Sequence, residues 1–196
     1  MIVAGTGHRP PSITIGDRNA YDPAVFRRLV DLSVSALQRL KASQVIAGGA
    51  LGFDQALATG AVELGVPVKL YLPFPGYDSR WPVASRAKYD VLRAQASDIV
   101  WVTPDDELPR DAVTGKRLPI PSYMASAMLQ KRNRAMVDAC LEGGTLLALW
   151  NGLESGGTWN AVQYARSVGC PVTNAWGWWN RHAAHPRRTQ SRAVAR

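Results

Sequence analysis

The chain has 196 residues, of which 46% are hydrophobic and 19% are charged, values typical of one compact globular domain. This composition excludes a chain that is disordered throughout, and no apolar run approaches the roughly 20 residues that cross a bilayer. Met1 leads into Gly5 without a basic leader, so we expect a cytoplasmic protein that makes no membrane contact. Cys140 and Cys170 are too few for a disulfide framework or a four-thiolate zinc site, and we expect buried thiols.

The net charge of +8 is concentrated at the C-terminus. Five of the 23 basic residues are arginines in segment 180–196, which has no acidic residue, so 18 basic residues remain against 15 acidic ones in the rest. Such a segment has too little apolar content to fold alone. We therefore predict one domain over residues 1–179 and a basic, disordered tail over 180–196.

Short apolar runs alternate with amphipathic segments along the chain, a pattern typical of crossover units on a mostly parallel sheet. Strands are predicted over residues 1–5, 44–47, 66–72, 98–102, 145–150 and 171–174. Helices are predicted over about 23–41, from near 51 to before 65, over 82–95, over 121–140 and after residue 157. The polar segment 103–121 contains prolines and is predicted to be a long loop, the best candidate for a lid. The pattern indicates an α/β domain with a mostly parallel sheet of about six strands.

Three of the predicted strands end in glycine-rich loops, at residues 5–9, 48–54 and 156–158. The carboxyl ends of parallel strands face one crevice, where loops and helix N-termini meet. Glycine lets the backbone approach an anion closely, and the first N–H groups of a helix bind phosphate. Together the loops predict a ligand that carries phosphate, although each loop taken singly also fits a tight turn.

The sequence lacks the motifs of several well-known nucleotide, metal and catalytic sites. No GxxxxGK[ST] phosphate loop occurs, and Gly5-Thr6-Gly7 lacks the third glycine of a dinucleotide-binding fingerprint. His8 has no histidine or cysteine partner at metal-ligand spacing, and no nucleophile elbow is present. We therefore predict no metal site and assign neither a cofactor nor a catalytic residue.

The order of the motifs resembles the SLOG superfamily, and most closely its YpsA-like branch. The matching segments are GTGHRP at 5–10, GGALGFDQA at 48–56, Pro73-Phe74 with Trp81 and Tyr89, Arg132-Asn133 with Met136-Val137-Asp138, and GGT at 156–158. This superfamily also contains the Lonely Guy phosphoribohydrolases and the DNA-processing protein A core. The resemblance implies a Rossmann-like three-layer fold that binds nucleotides or nucleotide-derived ligands, in a bacterial or bacteriophage setting.

The resemblance also implies which residues contact the ligand. They are Gly5, Thr6, Gly7, Arg9, Gly48, Gly49, Gly52, Asp54, Arg132, Asn133, Gly156, Gly157 and Thr158. A bidentate contact with phosphate suits Arg9, while Asp54 is expected either to accept from a ribose hydroxyl or to cap backbone N–H groups. The pair Arg132 and Asn133 either reaches the ligand or ties the fourth helix to the fifth strand.

We predict that the chain binds a nucleotide or an ADP-ribose-like molecule, for sensing or sequestration. One alternative is an N-glycosidic hydrolase of nucleoside monophosphates that uses an acid among Asp54, Asp138 and Glu154. Lonely Guy enzymes, however, have a glutamate three residues after the threonine of PGGxGTxxE, where this chain has Ala161 after Thr158. A second alternative is weak, nonspecific nucleic-acid binding through the basic tail.

For each of two groups of aromatic residues, the sequence is consistent with two different roles. Tyr77 and Trp81 follow the third strand, where they either stack on a base or pack in the core. Trp176, Trp178 and Trp179 follow the last strand, and three neighbouring large rings do not easily all turn inward. We predict a homo-oligomer that buries this cluster, with packing onto the chain's own domain as the alternative.

Overall fold

The computed structural model describes residues 1–184, whose helices and strands are numbered in chain order. The strands are β1 (Ile2–Gly7), β2 (Thr14–Ile15), β3 (Arg18–Asn19), β4 (Gln44–Ala47), β5 (Val68–Leu72), β6 (Asp98–Trp101), β7 (Thr145–Leu149) and β8 (Val172–Asn174). The α-helices are α1 (Pro23–Arg39), α2 (Phe53–Glu63), α3 (Val83–Gln95), α4 (Ser122–Asp138), α5 (Gly156–Ser167) and α6 (Trp176–Ala184). No helix within these residues is long and apolar enough to span a bilayer.

Six strands form one parallel sheet in the order β6-β5-β4-β1-β7-β8. The chain builds this sheet outward from β1 through β4 and β5 to β6, and then returns across β1 to add β7 and β8. The strand order therefore reverses between β1 and β7. The predicted α/β fold with a mostly parallel sheet of about six strands is confirmed, and the predicted ends of its elements lie within two residues of the observed ones.

The helices cover both faces of the sheet. Successive residues of a strand point to opposite faces, so Val3 joins a core with α1, α2, α3 and α6, whereas Ala4 joins one with α4 and α5. Both residues are fully buried. Burial on both faces explains why the central strands have apolar runs rather than alternating patterns. The result is the predicted three-layer architecture.

Helix α1 begins at the residues that the sequence indicated. The Asp22 carboxylate accepts hydrogen bonds from the N–H groups of Ala24 at 2.8 Å and Val25 at 3.3 Å. Pro23 occupies the first turn, where its missing N–H leaves no hydrogen bond unmade. The buried face of α1, which includes Leu29 and other apolar residues, then packs chiefly against α2.

A short hairpin, helix α6 and two single-turn 3-10 helices, Pro10–Ser12 and Asp105–Glu107, were not predicted. Residues 14–19 form an antiparallel hairpin of two strands with two residues each, too short for any periodic pattern. Helix α6 runs through Ala184, so residues 180–184 of the predicted tail continue this helix. The rest of the predicted tail, residues 185–196, lies outside the described residues.

The tryptophan cluster packs on its own domain. Trp179 is only 1% exposed, and Trp176 and Trp178 are half-buried against the same core. The guanidinium of Arg39 lies 5.5 Å from the centre of the Trp178 ring. Because residues 176–179 are helical, their rings are spread around the helix axis, and all three contact the domain. The homo-oligomer stays a prediction.

The two cysteines are buried and free, as predicted. Their Sγ atoms lie 3.5 Å apart in the core between the sheet, α4 and α5. Burial, followed by the effect of the Cys170 thiol, raises the pKa of Cys140 to about 12. Since the thiolate is the reactive form, Cys140 is an inert core residue near neutral pH.

Candidate functional site

A cleft of about 320 Å³ opens at the carboxyl edge of the sheet, where the strand order reverses between β1 and β7. Its walls are the end of β1 with the following loop, the first turns of α2 and α5, and one face of α4. Open parallel sheets bind ligands at such a position, because loops and helix N-termini from both halves of the sheet face one space.

Nine of the 13 residues predicted to bind a ligand line this cleft. They are Thr6, Gly7, Arg9, Asp54, Arg132, Asn133, Gly156, Gly157 and Thr158. The fold thus brings together segments that are separated by as much as 150 residues of chain, roughly three-quarters of its length. The other four, Gly5, Gly48, Gly49 and Gly52, do not line the cleft.

Arg132 from α4 and Asp54 from α2 form a buried ion pair in the cleft wall. The Nη1 atom of Arg132 donates to Asp54 Oδ2 at 3.0 Å, and the two side chains are 6% and 5% exposed. Nη1 also lies 3.4 Å from the Met136 sulfur. A buried charge is tolerated only with a partner, so this pair neutralises both groups and joins the two helices. Asp54 therefore pairs with Arg132 instead of capping its own helix, and Arg132 ties α4 to α2 rather than to the fifth strand.

Gly48 and Gly5 make room for protein atoms. A Cβ at Gly48 would overlap Arg132 Nη1 and lie 2.7 Å from Asp54 Oδ2. A Cβ at Gly5 would overlap the Cδ2 atom of Leu57, which packs onto β1. These two glycines are needed for the ion pair and for the approach of α2 to the sheet. They therefore maintain the structure of the cleft walls without lining the cleft.

Gly52 gives the loop before α2 its shape. It precedes the helix with a φ of +98°, and a Cβ there would lie 2.6 Å from the carbonyl oxygen of His8. Gly49 has a φ of +68°, and its carbonyl oxygen accepts a hydrogen bond from Gln55 Nε2 at 3.1 Å. The second glycine loop is therefore held against the first one by close backbone contact.

The N-terminus of α5 faces the cleft without a side-chain cap. Ser155 is the N-cap residue, but its side chain makes no capping hydrogen bond. Gly156 has a φ of +81°, and the carbonyl oxygen of Gly157 accepts from Asn133 Nδ2 at 3.2 Å. The first N–H groups of a helix and its dipole favour a negative group. This turn, which includes Thr158, is thus suited to phosphate.

Arg9 supplies a second favourable feature for an anion. Its side chain is exposed, lines the cleft, and makes no hydrogen bond or ion pair with any residue in 1–184. The charge of Arg132, by contrast, is balanced by Asp54. Arg9 therefore leaves the cleft with one uncompensated positive charge.

His8 lies beside Arg9 and is held as a neutral ring. Its Nε2 atom accepts a hydrogen bond from the Asn151 N–H at 3.1 Å, and its ring packs edge-on against Trp176. Desolvation by burial lowers the pKa of His8 below 6.5, and an interaction with the Asn151 side chain offsets only part of that shift. At neutral pH the imidazole adds no charge to the cleft.

Seven further residues line the cleft and were missed by the sequence analysis: His8, Ser12, Ala50, Ser126, Leu129, Gln130 and Ser155. Three of them, Ser126, Leu129 and Gln130, precede Asn133 on α4 by seven, four and three residues. Residues at these spacings share one face of a helix. A usable signal was therefore present once Asn133 had been placed in the site.

The candidate acids are not grouped in the cleft. Only Asp54 lines it. Asp138, at the other end of α4, accepts a hydrogen bond from the Tyr164 hydroxyl at 2.7 Å, which raises the pKa of Tyr164. Glu154 is exposed and is not among the lining residues. Asp54 is thus the one acid of the three that is placed to act on a ligand.

The sequence matches no known protein-family model and no curated protein. Its fold, however, is similar to that of solved structures. DNA processing protein A from Streptococcus pneumoniae matches with a TM-score of 0.53 and 15% identity, over 87% of this chain and 48% of that one. The same protein from Helicobacter pylori matches with a TM-score of 0.51 and 18% identity, over 88% of this chain and 63% of that one.

This chain therefore spans about half of the S. pneumoniae protein and less than two thirds of the H. pylori protein. At such low identities the likeness establishes the fold. It agrees with the motif order at the three glycine loops, which predicted the same architecture. The chain has a Rossmann-like α/β fold that is similar to the fold of DNA processing protein A.

Proposed function

We propose that this protein binds a nucleotide or an ADP-ribose-like molecule in the cleft, as a sensing or sequestering module. One observation carries the proposal. The uncapped first turn of α5 and the unpaired Arg9 side chain face the same cleft, at the point where the strand order reverses between β1 and β7. Glycine N–H groups and a guanidinium are donors that suit phosphate oxygens. The cleft volume of about 320 Å³ is at the small end of the range for ligand pockets.

A thermal-shift screen tests this function directly. The four common nucleoside monophosphates and ADP-ribose are added at about 1 mM, and we expect at least one of them to raise the unfolding temperature. Calorimetry on the best ligand should then show that Arg9→Ala weakens binding about tenfold, because a charge-assisted hydrogen bond to phosphate is lost.

A matched control is Arg181→Ala, which removes another exposed arginine, on α6, outside the cleft. It should bind the ligand as tightly as the unchanged protein. If none of the five compounds shifts the unfolding temperature, the proposed function is wrong. If Arg9→Ala and Arg181→Ala behave alike, the ligand does not use the Arg9 guanidinium.

Hydrolysis of an N-glycosidic bond is a second candidate, and the placement of Asp54 in the cleft favours it. An acid in this position is suited to stabilise an oxocarbenium-like transition state or to activate water. Against it, Asp54 Oδ2 is already engaged by Arg132. Incubation with nucleoside monophosphates, followed by chromatography for free base, separates the two functions. We expect no release; release that Asp54→Asn abolishes would support hydrolysis instead.

Nucleic-acid binding through the tail is a third candidate. The H. pylori DNA processing protein A, which has the same fold, binds single-stranded DNA. Residues 185–196 of this chain contain four arginines and no acidic residue. If they bind DNA through phosphates, affinity should fall steeply with salt and disappear when 185–196 are deleted. Binding that survives the deletion would place the DNA on the folded domain.

A further inference from the structure

A second cavity of about 450 Å³ adjoins the cleft. The two share Ser126 and Leu129 of α4, so they open on either side of the same helical turn. We call the cleft the first compartment and this cavity the second compartment. The other walls of the second compartment are the loop after β5 and the segment 117–120. None of the 13 residues predicted to bind a ligand lines it, but Tyr77 does, for which stacking on a base was one of two predicted roles.

The walls of the second compartment are mainly apolar. Phe74, Pro119 and Ile120 lie along it, together with Leu118, which is 43% exposed. An apolar side chain at the mouth of a cavity gains stabilisation when a ring covers it. This lining contrasts with the glycine loops and charged groups of the first compartment, so the two spaces suit different parts of one ligand.

Packing and a hydrogen bond hold the walls of the second compartment in place. Leu108, from the loop between β6 and α4, is 3% exposed and packs in a cluster with Phe74 and Met128. Arg117, from the same loop, donates from Nη2 to the Pro75 carbonyl oxygen at 2.8 Å. The segment predicted to be a lid is thus fastened to the loop after β5. A wall held in this way loses little conformational freedom on binding.

Arg80 is the charged group that remains available in this compartment. It lines the cavity, is exposed, and has no hydrogen bond or ion pair with the residues of the described range. Arg117, in contrast, lies 3.2 Å from the Asp105 carboxylate. A free, planar guanidinium beside apolar walls is suited to stack on a flat ring.

Trp81 is not available for that task. Its ring packs against Tyr77 and Tyr89, with both ring centres 5.3 Å away. The Tyr77 hydroxyl donates to that of Tyr89 at 2.7 Å, and burial raises the pKa of both phenols. These three rings form a packed support for the loop. Tyr77 lines the second compartment, but its ring is held in this support by Trp81 and Tyr89, so we assign stacking on a base to Arg80.

We propose that the second compartment binds the base of a nucleotide whose phosphate lies in the first compartment, with Arg80 and Leu118 against the ring. The sugar then crosses the shared turn of α4 at Ser126 and Leu129. This inference rests on the proposed function, and it commits the ligand to a nucleotide rather than a sugar phosphate.

The test compares the tightest-binding nucleotide of the screen with ribose 5-phosphate, by calorimetry on the full chain. Ribose 5-phosphate lacks the base, and we expect it to bind about tenfold more weakly. Arg80→Ala and Leu118→Ala should each weaken the nucleotide about fivefold and leave ribose 5-phosphate unchanged. Both residues are exposed, so neither substitution removes a core contact. Arg181→Ala should change neither affinity.

Other outcomes overturn the inference in distinguishable ways. If the nucleotide and ribose 5-phosphate bind equally, or if Arg80→Ala and Leu118→Ala leave the nucleotide unaffected, the base does not lie in the second compartment. The proposed function survives those results. If neither compound binds, the proposed function itself has failed.

Discussion

Arg132 and Asp54 lie 78 residues apart in the chain and form a buried ion pair in the cleft wall. The Nε atom of Arg132 is also buried and has no hydrogen-bond partner among the described residues. Removing one partner of such a pair leaves an uncompensated charge, which costs far more than the loss of an exposed pair. A substitution that displaces either side chain of this pair should therefore destabilise the protein strongly.

Gly48→Ala tests how much displacement of the ion pair costs in stability. The added Cβ would displace the Arg132 guanidinium from Asp54, and we expect the free energy of unfolding to fall by about 3 kcal/mol. Urea denaturation measures the change. Gly177→Ala is the control, because a Cβ there meets only Arg181 Nη1, at 3.8 Å, and should not destabilise the helix. Equal stability of the two variants would mean that the pair tolerates displacement.

His8 predicts a pH dependence of stability. Burial lowers its pKa in the folded state below 6.5, so the unfolded chain binds more protons between that lowered pKa and about 6.5. The stabilising contribution of the neutral ring is therefore complete above 6.5 and is lost as the pH falls through this window. Urea denaturation at about pH 7.5 and about pH 5 should show a decrease that is smaller in His8→Gln. The same decrease in both proteins would contradict this assignment.

At the scale of elements, the helix starts are set by local chemistry. α1 begins with the Asp22 cap and Pro23, whereas α2 begins at Gly52 and α5 at Ser155 without a side-chain cap. The first turns of α2 and α5 line the cleft, whereas α3 and α4, which begin at Pro82 and Pro121 without a side-chain cap, have their N-termini outside it. The unused N–H groups of α2 and α5 are therefore available at the edge of the sheet where a ligand would use them.

Asp22→Ala should destabilise the domain by about 1 kcal/mol, since the N–H groups of Ala24 and Val25 lose their acceptor. The change is measured by urea denaturation. Asp17→Ala removes an exposed carboxylate just before the same helix and should alter stability by less than about 0.5 kcal/mol. A comparable loss in both variants would point to a general charge effect instead of capping.

At the scale of the whole molecule, the tertiary structure changes the prediction about assembly. Trp179 is part of the core, so only the partly exposed edges of Trp176 and Trp178 remain available to a partner. Oligomerisation through this cluster must therefore bury a smaller aromatic surface than three free rings would offer.

We still predict a homo-oligomer, and light scattering at on the order of tens of micromolar should give more than the mass of one chain. Trp178→Ser should lower that mass, because it removes the exposed part of the cluster without opening the core at Trp179. A single-chain mass for the unchanged protein would show that the cluster serves only its own domain.

The sequence by itself determined the architecture. Apolar runs that alternate with capped or glycine-led helices predicted six strands and five helices within two residues, because local backbone preferences and burial on both sheet faces act over short stretches. Nine of the 13 residues that it predicted to bind a ligand line one cleft, since the carboxyl ends of parallel strands must share an edge. Their contact with a ligand stays a prediction.

Only the tertiary structure decided the roles within that cleft. Asp54 forms an ion pair with Arg132 of α4, and Gly48 leaves the space that the Arg132 guanidinium occupies. The three tryptophans lie on a helix that packs them against the domain. The second compartment likewise exists only where two loops meet α4. These features depend on contacts between segments far apart in the chain, whose relative positions are set by packing and not by any local pattern.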